Sequence, residues 1–138
     1  MIIKINKHGS ALPKAYGDFI DLTATEDVRL TAGEYKLISL GVAMKLPEGY
    51  YAEVVPRSST FKRWGIIMAN SIGIIDNDYC GANDIWGFPA LAMRDTFIPK
   101  GTRICQFRLV KKQENVCFVE DSLENNSDRG GWGSTGER

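Results

Sequence analysis

The chain has 138 residues, 17 basic and 17 acidic side chains, and no net charge. That length holds one domain, and 43% hydrophobic content excludes a fully disordered chain. Zero net charge excludes the basic surplus of a general nucleic-acid binder. No apolar run approaches the ~20 residues of a membrane span, and the opening Met1-Ile-Ile-Lys-Ile-Asn lacks the apolar stretch of a signal peptide, so a cytoplasmic protein is expected. With one histidine, His8, a multi-histidine metal site is impossible, and that residue reads as a solvent-facing one near a terminus. Cys80, Cys105 and Cys117 form no C-x-x-C pair, which suits reduced thiols.

In chain order the sequence predicts many short strands: Ile3 to Ile5, Phe19 to Leu22, Val28 to Leu30, a longer Tyr35 to Leu46, and Tyr50 to Val55 after the turn Pro47-Glu48-Gly49. One short helix follows, Ser58 to Trp64, with hydroxyls at its start and Gly65 at its end. Ile72 to Ile75, Ile85 to Met93, Arg103 to Val110 and Val116 to Val119 complete the strands. Regular spacing and glycine-rich turns predict an all-β sandwich or barrel. From Glu120 the chain turns polar. Its end, Ser127-Asp-Arg-Gly-Gly-Trp-Gly-Ser-Thr-Gly136, is too glycine-rich for a core and reads as an arm.

Four segments bear chemistry. In the tail, backbone N–H groups freed by glycine, with Arg129, Ser134 and Thr135, suit a phosphate; a flexible terminus is the plainer reading. Pro56-Arg57-Ser58-Ser59-Thr60 is either an anion site at a helix start or an ordinary cap. In Asn70-Ser-Ile-Gly73-Ile-Ile-Asp76-Asn-Asp-Tyr79-Cys-Gly81 an apolar strand runs into an acidic turn, predicted as a β-hairpin with Asp76 at a strand end. A carboxylate there can orient a water, and a ring can pack on a sugar. Gln106, a lone amide in an apolar strand, needs a hydrogen-bond partner if buried.

Taken in order, these segments resemble the five motifs of the homotrimeric dUTP diphosphatase (dUTPase) family. The counterparts are Asp18-Phe-Ile-Asp21-Leu22, Pro56-Arg57-Ser58-Ser59 (the family usually has Gly last), Gly73-Ile-Ile-Asp76-Asn-Asp-Tyr79-Cys-Gly81, Gly101-Thr-Arg103-Ile-Cys-Gln106, and Gly131-Trp132-Gly133-Ser134-Thr135-Gly136. The resemblance implies a jelly-roll-like β-clip subunit over residues 1–122 and a glycine-rich arm over 123–138. It implies a homotrimer with three shared active sites, each closed by an arm from a neighbour.

The resemblance further implies hydrolysis of dUTP to dUMP and pyrophosphate by attack on the α-phosphorus. Asp76 would orient the water and Tyr79 would stack on the deoxyribose and reject a ribose 2′-OH. Asn70 and the main chain around Gly73, Ile74 and Asp84 would read the uracil edge. Arg57, Ser58, Ser59 and Gln106, with Arg129, Ser134 and Thr135 from the arm, would hold the phosphates. Asp21 would pair with Arg57 or a metal-bound water. Mg²⁺ would bind through the triphosphate and waters rather than through direct protein ligands.

Two departures bear on the arm. Trp132 stands where the family places a uracil-stacking Phe. The arginine usually five residues before that ring would be at Ser127, whereas Arg129 is only three before it. This compressed arm resembles the variant of Bacillus-type and related phage members, in which a ring from elsewhere can serve as lid; Phe88, within Trp86-Gly-Phe-Pro89, is the candidate. The alternatives are a nucleotide-binding regulatory module acting through a protein partner, as in phage signalling, and a dCTP deaminase relative. The second lacks its glutamate, because none occurs between Gly81 and Met93.

Overall fold

The structure is a computed structural model, and it describes residues 1–133. The expected phosphate ligands Ser134 and Thr135 lie outside the described residues. Among those described there are twelve strands and one short helix: β1 (Lys4–Lys7), β2 (Lys14–Ala15), β3 (Ile20–Thr23), β4 (Val28–Leu30), β5 (Tyr35–Ser39), β6 (Val42–Lys45), β7 (Tyr50–Pro56), α1 (Thr60–Trp64), β8 (Ile66–Met68), β9 (Gly73–Ile75), β10 (Gly87–Ala92), β11 (Thr96–Ile98) and β12 (Arg103–Lys111). The all-β expectation holds.

The strands form four antiparallel groups: a five-stranded sheet in the order β2-β3-β12-β7-β9, a three-stranded sheet β5-β10-β8, and the pairs β1-β6 and β11-β4. Alternation of side chains sends one face of each strand inward. In β10, Phe88, Ala90 and Ala92 are buried while Gly87, Pro89 and Leu91 are only half-buried. In β12 the adjacent residues Ile104 and Cys105 are both buried. The register against β3 shifts between Arg103 and Cys105, and that bulge lets two successive side chains face the core.

Several local expectations are corrected. Tyr35 to Leu46 is not one strand. Gly41, with φ +66°, separates β5 from β6, and the two strands join different sheets. A Cβ there would collide with the Thr25 side chain and lie 3.1 Å from His8 O, so only glycine fits. Val116 to Val119 forms no strand; the segment is exposed, with Phe118 at 92%. β2, β8 and β11 were not foreseen. They have two or three residues each and too little pattern to stand out. The residue 70–81 segment is not half of a hairpin, because β9 pairs with β7 whereas β10 pairs with β5 and β8.

The helix begins without the expected hydroxyl cap. Ser59 occupies the N-cap but makes no side-chain cap bond. Instead the buried Thr60 Oγ1 accepts from Arg57 N–H at 2.9 Å and donates to Ile104 O at 2.8 Å. Gly65 ends the helix in the left-handed region, and Arg94 Nη2 donates to the last carbonyls, Lys62 O and Arg63 O.

Phe88 is corrected as a lid. Its ring is 0% exposed and lies in the central core with Trp86 and Phe107, so it has no free face for a base. Trp86 meets Phe107 edge-on at 5.1 Å. Their hydrophobic run is explained by the core.

Candidate functional site

The structure gathers the expected residues into two groups. The first surrounds a cleft of about 300 Å³ lined by Leu37, Ile74, Ile75, Asp76, Asp78, Tyr79, Ile85, Trp86 and Gly87. β9 delivers Asp76 at its end, where the carboxylate is exposed. The chain then turns, with Tyr79 N–H donating to Asp76 O at 3.1 Å. Asn77 Nδ2 donates to Pro47 O and Tyr50 O at 2.9 and 2.8 Å, which ties the turn to the start of β7. The Tyr79 hydroxyl donates to Ile85 O at 3.3 Å, so its ring spans the loop. Asp84 is spent on structure: its Oδ2 accepts from Gly81 N–H at 2.8 Å. A side chain on Gly81 would meet that same oxygen at 2.8 Å. Asn70 sits in an exposed turn at the other end of β9 from Asp76, with Gly73 beside it packed against Val54.

The strand topology gives this cleft a polar edge. β9 is the outermost strand of its sheet, and β10 begins another sheet. The β9 backbone therefore has one edge with no strand beside it among the described residues. Such an edge presents N–H and C=O groups to a flat partner.

The second group lies where β7 runs out. Arg57 Nε is 3.6 Å from Asp21 Oδ2, and Arg57 Nη1 donates to Arg103 O at 3.1 Å. Asp21, only 8% exposed, also accepts from Arg103 Nη1 at 3.0 Å. The expected Asp21–Arg57 pair is present, and Arg103 is the partner that sequence reasoning missed. Arg103 also stacks on Tyr16, 4.3 Å from the ring centroid. Gln106 lies in the interior strand β12 and donates to Pro56 O at 3.3 Å, which answers its need for a partner. Ser58 is exposed and Ser59 half-buried on the turn that Thr60 braces. Thr60 was the second omission; its signal was only a hydroxyl at a helix start.

Burial, and after it the Asp21 charge, push the Cys105 thiol well above its ordinary range, so this group is a neutral core thiol and no nucleophile. Among the described residues no three His, Cys, Asp or Glu side chains converge as a metal cage. Arg129 is exposed and Trp132 fully exposed.

The two groups do not meet within one chain. Ile75 faces Ala52 across the β7–β9 ladder, and Asp76 and Tyr51 line one cavity. From Tyr51 to Arg57 the chain runs the length of β7, which at ~3.3 Å per residue is about 20 Å. The carboxylate and the arginine therefore sit at opposite ends of one sheet.

A family model described as dUTPase matches residues 13–136. The chain is 59% identical over 122 residues to the SPbeta prophage-derived deoxyuridine 5'-triphosphate nucleotidohydrolase of Bacillus subtilis, covering 88% of this chain and 86% of that protein. It is 40% identical over 121 residues to the deoxyuridine 5'-triphosphate nucleotidohydrolase of Rickettsia prowazekii, covering 85% and 80%. Its fold is similar to the Staphylococcus bacteriophage 80alpha dUTPase with dUPNHPP, with a TM-score of 0.80 at 20% identity over 99% of each chain. It also resembles a mutant dUTPase of phage phi11 of S. aureus that coordinates a structural Mg(II) ion, with a TM-score of 0.76 at 17% identity over 89% of this chain and 99% of that one.

Proposed function

The chain belongs to the dUTPase family, and from that membership we infer that it is a dUTP diphosphatase releasing dUMP and pyrophosphate. The observation that carries the site assignment is the cleft that sets Asp76 and Tyr79 on one wall between two strands that do not pair. The Asp76 carboxylate, exposed and free of the ion pairs that hold Asp21, orients a water toward the α-phosphorus. Tyr79 packs on the deoxyribose. The unpaired edge of β9 at Gly73 and Ile74, with Asn70 and the main chain at Asp84, reads the uracil as a neighbouring strand would be read. A backbone edge of fixed geometry leaves no room for a methyl group and mismatches the donor pattern of cytosine.

The phosphates fall to Arg57, Ser58, Ser59 and Gln106. Asp21 and Arg103 fix the Arg57 guanidinium in direction, which preorganises it for charge that develops in flight. Because that group lies about 20 Å from Asp76 in the same chain, it serves the Asp76 of another copy. We therefore propose a homotrimer, a closed heterologous ring in which each site takes its base from one subunit and its phosphate clamp from the next. Arg129, Ser134 and Thr135 on the arm beyond about residue 122 complete the clamp, and the exposed Trp132 supplies the ring over the base. Mg²⁺ would bind through the triphosphate and waters. It would supply charge neutralisation for the departing pyrophosphate. Three cysteines without a disulfide suit a cytoplasmic enzyme.

Asp76→Asn tests the base. Turnover of dUTP is expected to fall about 10²–10⁴-fold while dUTP still binds. Near-normal turnover would overturn the assignment.

A further inference from the structure

The loop from Asp76 to Trp86 is tied down at its far end by backbone bonds: Trp86 N–H donates to Val42 O at 2.8 Å, and Leu40 N–H donates to Trp86 O at 2.9 Å. Between its ends lies a tight turn, with Asp84 N–H donating to Gly81 O at 3.1 Å and Gly81 N–H donating to Asp84 Oδ2 at 2.8 Å. Ala82 forms the exposed tip of that turn. Its carbonyl is met by two side chains from the start of the molecule: His8 Nε2 at 2.7 Å and Asn6 Nδ2 at 3.1 Å.

A peptide carbonyl only accepts, and it has two lone pairs. Nε2 of His8 must therefore carry the proton, and the Asn6 amide fills the other lone pair. The 3.2 Å approach of Asn6 Nδ2 to His8 Nε2 is then two donors converging on one acceptor. The base of this clamp is firm. Asn6 lies in β1, paired with Ala43 of β6, and His8 N–H donates to Gly41 O at 2.8 Å. From the inner side the same turn is spanned by the Tyr79 hydroxyl on Ile85 O.

We propose that His8 and Asn6 are positioning residues for dUTP: by holding the Ala82 carbonyl they fix the 81–84 turn, and through it the wall formed by Tyr79 and Ile85. The inference rests on the reading that this loop is the nucleoside wall. The only histidine of the chain thus acts on specificity and affinity without touching substrate or reacting atoms. Losing the clamp frees the turn while leaving the Asp76 end held by Asn77, so binding suffers and the chemical step does not.

The test uses the full-length enzyme with His8→Ala, the double variant Asn6→Ala/His8→Ala, and His8→Gln, whose amide retains a donor. Each is read by KM and kcat for dUTP and by amide hydrogen exchange over Gly81 to Asp84. The double variant is expected to raise KM about fivefold, with kcat within about twofold of wild type and faster exchange in the turn. His8→Ala should show part of that change, and His8→Gln should restore most of it. If the wild type turns over dUTP and the double variant leaves KM unchanged, or if His8→Gln behaves as His8→Ala does, the positioning role is wrong. If the wild type does not turn over dUTP at all, the underlying functional reading fails instead.

Discussion

Mixing two dead enzymes should give a live one. Asp76→Asn removes the proposed water-orienting carboxylate, and Arg57→Ala removes the proposed phosphate clamp; each alone is expected to inactivate every site. The β7–β9 register puts these positions about 20 Å apart along one sheet, whereas a general base must lie within about 3 Å of the water it activates beside the clamped phosphate. A site using both residues therefore draws them from different subunits. In an equal mixture with random assembly, a site works when its Asp76 comes from the Arg57→Ala chain and its Arg57 from the Asp76→Asn chain. In a heterologous ring that holds for about one quarter of sites. Pyrophosphate release from dUTP after co-refolding or co-expression should recover to about one quarter of the wild-type rate per chain. A mixture no more active than the average of its parents would refute the shared site and place both residues on one chain's own pocket.

Two further outcomes follow from the same structure. Phe88→Ala should destabilise the fold by about 3–5 kcal/mol, because it empties a fully buried position; thermal unfolding should show Tm lowered by roughly 10 °C. An unchanged Tm with a raised KM would instead return Phe88 to the role of lid. Removing residues 127–138 should leave the assembly intact by sedimentation while turnover falls about 10²-fold or more, since phosphate donors act mainly on developing charge. Dissociation of the assembly would show that the arm is structural.

What the sequence revealed, and what it concealed, divides by the range of the interactions. Gln106 could be singled out as a lone amide in an apolar strand, and Asp76 and Tyr79 because an apolar strand runs into an acidic turn there, whereas Asp21 stood out only through the family motif. β7 and β10 were legible as apolar runs bounded by turn residues. β2, β8 and β11, of two or three residues each, were not, because so short a segment is specified largely by its neighbours. Phe88 misled because an aromatic run reads alike whether it faces a ligand or a core, and only the β10 register decides that it faces inward. Arg103 and Thr60 were missed because their roles depend on partners 82 and 44 residues away in sequence, Asp21 and Ile104. His8 was misjudged for the same reason: it meets Ala82 across 74 residues, so a histidine near a terminus is half-buried against the 81–84 turn. Val116 to Val119 has strand composition yet no strand beside it among the described residues.

The most direct test is a comparison of nucleotides. The purified full chain with Mg²⁺ should release pyrophosphate from dUTP far faster than from dTTP, dCTP or UTP, if the β9 backbone edge and Tyr79 discriminate base and sugar as proposed. Equal rates on all four nucleotides, tight dUTP binding without turnover, or ammonia release from dCTP would contradict it.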